Sequence, residues 1–318
     1  MKARISVTID QVDSFGGNLS LSTVFERADI AEKAGADGLW VAQLPSQRDA
    51  SMLLAGLAAR TSDVAIGTAV LPIYLSPPVV MAQTALTLDE ISGNRLVLGL
   101  GRGHRIFGEW MLGARYSPSI RPMREYLTIV TSLIREGEVN VTGSVFGGRA
   151  FYAAPRRPQL PVYVGAFGPR MLELAAELAD GVILWMCTPS YVSEVAMPSL
   201  RRGWARRQGG QAGFGVVTML PAVVAQRPEE YREGARSILN GYLRQENYQK
   251  LLAAVGFGDD VRSLRVGDAM IDGLCAIGGR QLLQERVAAY RQAGVTEVAI
   301  VPLGEPHLVA TLEAAIAA

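Results

Sequence analysis

The stretch LVLGLGRGHRIFGEW, Leu96 to Trp110, passes from an apolar run into Gly99, Gly101 and Gly103 and then a histidine. A dinucleotide fingerprint needs glycines at positions 1, 3 and 6. Counted from Gly99 the sixth position is His104, and from Gly101 it is Ile106. A Walker loop needs a Gly-Lys pair after four intervening residues. Gly103 and Gly108 have that separation, but Glu109 stands where the lysine belongs. The glycines therefore mark a strand ending in a loop whose backbone something approaches closely.

The surrounding chain says what kind of strand this is. Short apolar runs alternate with amphipathic helical segments along the sequence. Strand 1 covers about Arg4 to Asp10. Thr23-Val-Phe-Glu26 reads as a capping box opening a helix that ends at Gly35. Strand 2 is Asp37 to Gln43, a helix follows from Ala50 to Arg60, and strand 3 is Val64 to Leu71. Ser76-Pro77 reads as an N-cap with proline in the first turn, and that helix runs to about Ile91. Strand 4 is RLVLGLG, and a helix from Pro122 to about Glu136 comes next. GEVNVTGSVFGGRAFYAAP reads as a β-hairpin excursion. Strand 5 is PVYVGA, leading into a helix with Pro169 near its start, and strand 6 is GVILWM. A helix from Tyr191 to Arg207 precedes strand 7, FGVVTMLPAVV. Residues 228 to about 290 read as mostly helical, an insertion before strand 8, EVAIVPL, and a last helix.

Eight strand–helix units with continuous apolar strands imply an α/β fold, a (β/α)8 TIM barrel spanning residues 1–318 as a single domain. An open doubly wound sheet would carry its glycine fingerprint in the first turn, and DQVDSFGGNLS is not one. AEKAGADGLWV, AELADGVILW and YRQAGVTEVAIV repeat one helix-to-strand connector, with Asp37 and Asp180 ahead of strands 2 and 6. This recurrence reads as shared turn chemistry rather than a duplicated half-barrel.

Composition excludes several classes. The 318 residues are 49% hydrophobic and 19% charged, enough apolar content for a large core. A net charge of +1 argues against nucleic acid or an anionic membrane as the main partner. The arginine-rich RRGWARR, Arg201 to Arg207, reads as a solvated helix face. Cys187 and Cys275 lack metal-binding spacing and suit a reducing, cytoplasmic location. The opening MKARISVTID reads as a strand rather than an export signal, and no apolar run is long enough to span a membrane. With His104 and His307 the only histidines, a His-rich metal centre is not expected. With Lys2, Lys33 and Lys250 the only lysines, Schiff-base chemistry is not expected either.

In a TIM barrel the chemistry sits at the C-terminal ends of the strands. Gly165 to Gly168 leads into a helix N-terminus, whose free N–H groups favour an anion, and Arg102, one strand over, could supply the countercharge. The alternative is that these glycines only let the helix pack. The strand ends carry no Ser–His–Asp arrangement and no close carboxylate pair, which favours a bound organic cofactor. His104 is a candidate proton donor or ring contact, or else a loop histidine bonded to backbone. His307 reads as structural.

GTAVLPIYLSPPVVMAQTALTLDEISGNRLVLGLGRGHRIFGEWMLG, followed by LPVYVGAFGPRMLELAAELADGVILW, resembles the luciferase-like monooxygenase superfamily. It looks closest to the branch of deazaflavin (coenzyme F-420)-dependent oxidoreductases and methylenetetrahydromethanopterin reductase-like proteins. The resemblance implies a TIM barrel that binds coenzyme F-420, or alternatively FMN, at the C-terminal mouth. It implies a non-prolyl cis peptide after strand 3, here Ala69–Val70, backing the ring with Thr68 beside it. Phosphate contacts map onto Arg102 and Gly103 and onto Ala166, Phe167 and Gly168, with Gly165 just before them in the same loop. His104 stands where some relatives place a catalytic carboxylate, and Glu109 is the second candidate for proton exchange. One departure is evident: after Trp40, where many relatives carry an acidic pair, this chain has Gln43-Leu44. The resemblance implies hydride transfer between a reduced deazaflavin and a small organic substrate, without metal, in a homo-oligomer. The alternatives are an FMN-dependent monooxygenase with a flavin reductase partner, or a catalytically silent flavin-binding barrel.

Overall fold

A computed structural model describes residues 3–12, 17–44, 46–117 and 119–318. Residues 13–16 of the first turn lie outside the described residues. Twelve strands are present among the described residues: β1 (Arg4–Thr8), β2 (Gly38–Val41), β3 (Ala65–Thr68), β4 (Leu71–Pro72), β5 (Leu96–Gly101), β6 (Glu138–Val141), β7 (Gly148–Phe151), β8 (Val162–Gly165), β9 (Gly181–Leu184), β10 (Gly215–Val224), β11 (Ala276–Gly278) and β12 (Glu297–Pro302). The main sheet runs β11-β10-β12-β1-β2-β3-β5-β8-β9, and a further β9–β10 pairing closes eight strands into the expected (β/α)8 barrel. β6 and β7 pair only with each other, antiparallel, as the expected hairpin excursion. No helix among the described residues is long and apolar enough to cross a membrane.

The chain divides into two compact units, Met1–Leu39, Leu184–Pro198 and Val216–Ala318 in one, Trp40–Ile183 and Ser199–Gly215 in the other. In the second unit, the run TLDEISGNR explains how β5 is launched. The helix Pro78–Ile91 ends at Ser92, and Gly93 and Asn94 turn the chain with φ of 66° and 67°. Arg95 then donates to the carbonyls of Ala58, Thr61, Val64 and Ser92 and to the Thr61 hydroxyl, at 2.7–3.0 Å. Asp89, 2% exposed, takes a two-pronged bond from Arg157 at 2.9 and 2.7 Å and accepts the Leu96 N–H at 3.3 Å. These bonds tie the first residue of β5 to the helix before it and to the segment leading into β8.

The recurring connector has a common physical basis. In the first unit Asp37 donates its N–H to the Ile5 carbonyl, and its carboxylate accepts the Ile5 N–H at 2.7 Å. In the second unit Asp180 does the same with Val162, the carboxylate accepting at 3.1 Å. Each aspartate aligns the start of its own strand with the start of the preceding one. Asp180 also pairs with Arg135 and Arg207 at 3.0 and 2.9 Å. Arg202 and Arg206 pair with Glu173 and Glu177. The RRGWARR face is therefore a neutralised ion-pair lattice rather than merely solvated charge.

Several local expectations are corrected. The helix Leu21–Lys33 is capped by Ser20, whose hydroxyl accepts the Thr23 N–H, so the cap lies one turn before the Thr23 capping box. Pro77, not Ser76, holds the N-cap position of Pro78–Ile91, its carbonyl accepting the Met81 N–H at 3.0 Å, while the Ser76 carbonyl accepts the Tyr126 hydroxyl at 3.0 Å. The Tyr191–Arg207 helix begins earlier, at Pro189 under a Thr188 cap, widens by one residue per turn over Val192–Ala196, and ends at Trp204. Strand 3 is not continuous: it breaks after Thr68 and resumes as β4. The segment 228–290 holds five α-helices, the last running on to Gln292, and a short 3-10 turn at Pro228–Tyr231, but also β11, which extends the edge of β10 through Ala222–Val224. Three residues carry too little periodicity to separate a strand from the helices around it.

Candidate active site

The break in strand 3 organises the site in the second unit. Ala69–Val70 is a cis peptide between non-proline residues. The Ala69 N–H donates to the Val41 carbonyl at 2.8 Å, and the Ile73 N–H rejoins the ladder at Gly101. Thr68, 0% exposed, donates its hydroxyl to the Gly99 carbonyl and accepts the Gly99 N–H, both at 2.7 Å. Thr68 is thus a clamp between β3 and β5.

The opening glycines find their explanation here. A Cβ at Gly99 would collide with the Thr68 carbonyl oxygen, and one at Gly101 with a Val70 methyl. What approaches the β5 backbone is therefore the bulge at residues 68–70 of the same chain. A Cβ at Gly165 would lie 3.0 Å from the other Val70 methyl, so Val70 covers the ends of both β5 and β8. Ala69 and Val70 remain half-buried, an apolar floor with one accessible side.

Arg102 and the β8 loop follow from the β5–β8 register. The pairs Leu98↔Val162 and Leu100↔Val164 put Arg102 and Ala166 each just past the end of one of two adjacent strands. The Arg102 guanidinium donates to the Ser117 carbonyl and stacks 4.6 Å from the Tyr116 ring centroid. Gly103, at φ 68°, turns the chain out of the barrel. Ala166 is buried, its N–H bonded to the Ile183 carbonyl at 3.1 Å, while Gly165, Phe167 and Gly168 are half-buried. The helix Pro169–Leu178 starts at Gly168 with no side-chain cap and no acidic residue in its first turn. A Cβ at Gly168 would meet nothing within 4 Å, so packing does not require this glycine. An uncapped helix start favours an anion.

The two residues expected to exchange protons are placed differently from one another. His104 is half-buried, and its carbonyl accepts the Gly108 N–H at 2.9 Å to start the helical turn that follows. Glu109 lies on the exposed side of that turn, ion-paired to Arg105 at 3.0 Å, next to Trp110 at 83% exposure. A solvated, already paired carboxylate is a poor proton carrier for buried chemistry, so Glu109 does not fit the role expected of it. Gln43, which replaces the acid expected after Trp40, accepts the Ala50 N–H at 2.8 Å and so supports the start of Ala50–Arg60. Asp49 caps that helix through the Met52 N–H.

The first unit holds a carboxyl that the sequence reading passed over. Asp10 stands just beyond the C-terminal end of β1. It accepts the Thr8 hydroxyl at 2.8 Å, and its carbonyl accepts Arg27 at 2.9 Å. Burial pushes its carboxyl above the usual range, against the opposing effects of the Thr8 bond and the Arg27 charge. Tyr242 is the phenol coupled to it: burial, with the Asp10 charge, lifts Tyr242 to about 12. Tyr242 packs edge-on against Trp185 at 5.4 Å and Tyr248 at 4.8 Å. Both tyrosines come from the helical insertion, Tyr242 from Arg232–Leu243 and Tyr248 from Glu246–Ala254. The signal for Asp10 was present, an acid directly after RISVT, whereas nothing in the insertion marks its tyrosines. Burial raises the Cys187 thiol well above its usual range, so it is not a nucleophile. No group of three or more metal-binding side chains occurs among the described residues.

Comparison with known proteins agrees with this architecture. A family model described as luciferase-like monooxygenase matches residues 1–297. The 5,10-methylenetetrahydromethanopterin reductase of Archaeoglobus fulgidus is 29% identical over 288 residues, 85% of this chain and 86% of that protein. The structure of the coenzyme F-420 dependent tetrahydromethanopterin reductase from Methanopyrus kandleri superposes with a TM-score of 0.76 at 20% identity, covering 99% of this chain and 98% of that one. The FMN complex of the oxygenating constituent of 3,6-diketocamphane monooxygenase from Pseudomonas putida gives a TM-score of 0.69 at 15% identity, covering 99% and 97%. With the glycine-rich β5, the strand 3 bulge and the uncapped helix after β8 all in place, the chain belongs to the luciferase-like monooxygenase family.

Proposed function

We propose that this protein is a deazaflavin-dependent oxidoreductase that uses coenzyme F-420 for hydride transfer to or from a small organic substrate. The observation that carries the reading is that Arg102 and the uncapped start of Pro169–Leu178 follow the ends of the adjacent strands β5 and β8. One cation and the backbone N–H left over at the helix start would together form a receptor for a phosphate on the cofactor. Gly103, Gly165, Phe167 and Gly168 would supply backbone to that phosphate; the N–H of Ala166, expected to join them, is already taken by the Ile183 carbonyl. Ala69 and Val70 offer the half-buried apolar surface a planar ring requires. The residues present therefore fit a phosphate-bearing flavin-type group.

When bound, the deazaflavin supplies or accepts a hydride, and this chain's own residues have three tasks. Arg102 and the helix start hold the anionic tail, and Val70 supports one face of the ring. A third group must hold a proton for the substrate oxygen or nitrogen. Within the second unit His104 is the residue placed for this, half-buried just past the C-terminal end of β5, where barrel catalysis occurs.

The reductase relative of Archaeoglobus fulgidus and the coenzyme F-420 dependent structure support the deazaflavin. The FMN complex supports a second reading, an FMN-dependent monooxygenase. Titration of the purified protein with coenzyme F-420 and, separately, with FMN, followed by fluorescence, separates them. Tighter coenzyme F-420 binding is expected. Tighter FMN binding shifts the reading to oxygen chemistry, and no binding of either removes the phosphate receptor.

A further inference from the structure

The β6–β7 hairpin lies outside the barrel sheet, yet its tip is tightly fastened. Glu125, on the helix Arg121–Glu136, accepts the N–H groups of Ser144, Val145 and Phe146 and the Ser144 hydroxyl, each at 2.9 Å. Burial pushes the Glu125 carboxyl up, but these bonds outweigh it and bring the pKa down to about 2. The fastened tip sets the Phe146 ring edge-on to Tyr126 at 5.1 Å and 5.9 Å from Tyr74. Tyr74 lies 5.5 Å from Tyr116, and its hydroxyl accepts the Ser117 N–H at 3.4 Å. Tyr116 and Ser117 both hold Arg102.

The described part of segment 113–120 has no helix or strand to stiffen it. An arginine side chain has many rotamers to lose on binding, and fixing it beforehand lowers the cost of capturing an anion. We propose that the β6–β7 hairpin is a positioning device for the phosphate receptor, acting through Phe146 and Tyr74 on Tyr116 and Ser117 to hold Arg102 in its binding orientation. Tyr74 and Glu125 are then positioning residues more than one contact away from the anion. The inference rests on the reading of Arg102 as a phosphate contact.

The test compares ligands with and without phosphate: FMN against riboflavin, and coenzyme F-420 against its phosphate-free deazariboflavin core. Tyr74→Phe keeps the ring and removes the acceptor for Ser117, Glu125→Ala releases the hairpin tip, and Arg102→Ala is the reference. The expected result for Tyr74→Phe and Glu125→Ala is a roughly 2- to 12-fold rise in Kd for the phosphate-bearing ligands, with the phosphate-free ligands unchanged. A merely structural role would weaken both classes alike. Equal loss for both classes, or no loss, overturns the inference if Arg102→Ala still acts on phosphate ligands alone, and leaves the cofactor reading standing. If Arg102→Ala shows no phosphate preference, the receptor reading fails and the inference falls with it.

Discussion

Replacing Gly99 with alanine should be among the most damaging single-methyl additions in the barrel. Gly99 pairs with Tyr163 of β8 in register, and on its other side it exchanges two hydrogen bonds with the Thr68 hydroxyl. The new methyl would overlap the Thr68 carbonyl oxygen and lie 2.8 Å from the Ile183 δ-methyl. Ile183 can rotate away, but the Thr68 carbonyl is backbone and moves only if β3 separates from β5. Overpacking of this kind costs about 1–3 kcal/mol. Loss of the two Thr68–Gly99 bonds adds about 1 kcal/mol each. The expected destabilisation is therefore about 3–5 kcal/mol, read as a fall in the urea midpoint with the slope unchanged. Gly168→Ala is the control: φ is −77° and nothing lies within 4 Å of the added methyl. It should stay within about 1 kcal/mol of wild type. If Gly99→Ala also stays within about 1 kcal/mol, the close approach of the bulge is not what the glycine serves, and the account of the LGLGRG stretch is refuted.

Three further outcomes are expected. Asp89→Ala strands the Arg157 guanidinium and should cost about 3–5 kcal/mol; a thermal midpoint close to wild type would show that Arg95 alone anchors β5. Gly168→Asp should supply a better helix cap, stabilising the fold by up to about 1 kcal/mol, while repelling an anionic cofactor and weakening FMN or coenzyme F-420 binding about 10-fold; unchanged affinity would place the phosphate elsewhere. Asp10→Asn should change the pH dependence of stability. Burial raises the Asp10 carboxyl above 3.8, so its favourable contribution is complete below 3.8 and is lost as pH rises through the folded-state value. Asparagine has no such loss, so the variant should gain on wild type between pH 3.5 and 8 in urea melts, and the opposite slope would refute the assignment.

The barrel was legible because its signals are repeated and local. Continuous apolar strands, the Asp37 and Asp180 connectors and the turn before Arg95 each state their structure within a few residues, and errors such as the Thr23 cap moved a boundary by a turn without changing an element. The site was legible only where it is made of backbone. Gly165 to Gly168 before Pro169 could be read as a helix start because the amides that bind an anion come with the helix itself. Side-chain chemistry was harder, because its value depends on surroundings that neighbouring sequence does not supply. Glu109 and Asp10 are both acids near strand ends. One is exposed and paired within its own turn by Arg105, four residues away; burial raises the other, and its charge acts on Tyr242, more than two hundred residues along the chain. The Arg105–Glu109 spacing was visible in the sequence and should have counted against Glu109, since an i,i+4 pair on a helical turn points to solvent. The Asp10–Tyr242 pairing had no such local mark, because it depends on where the insertion between β10 and β12 comes to rest. Such a carboxyl can be found only by asking which strand-end acids the fold removes from water.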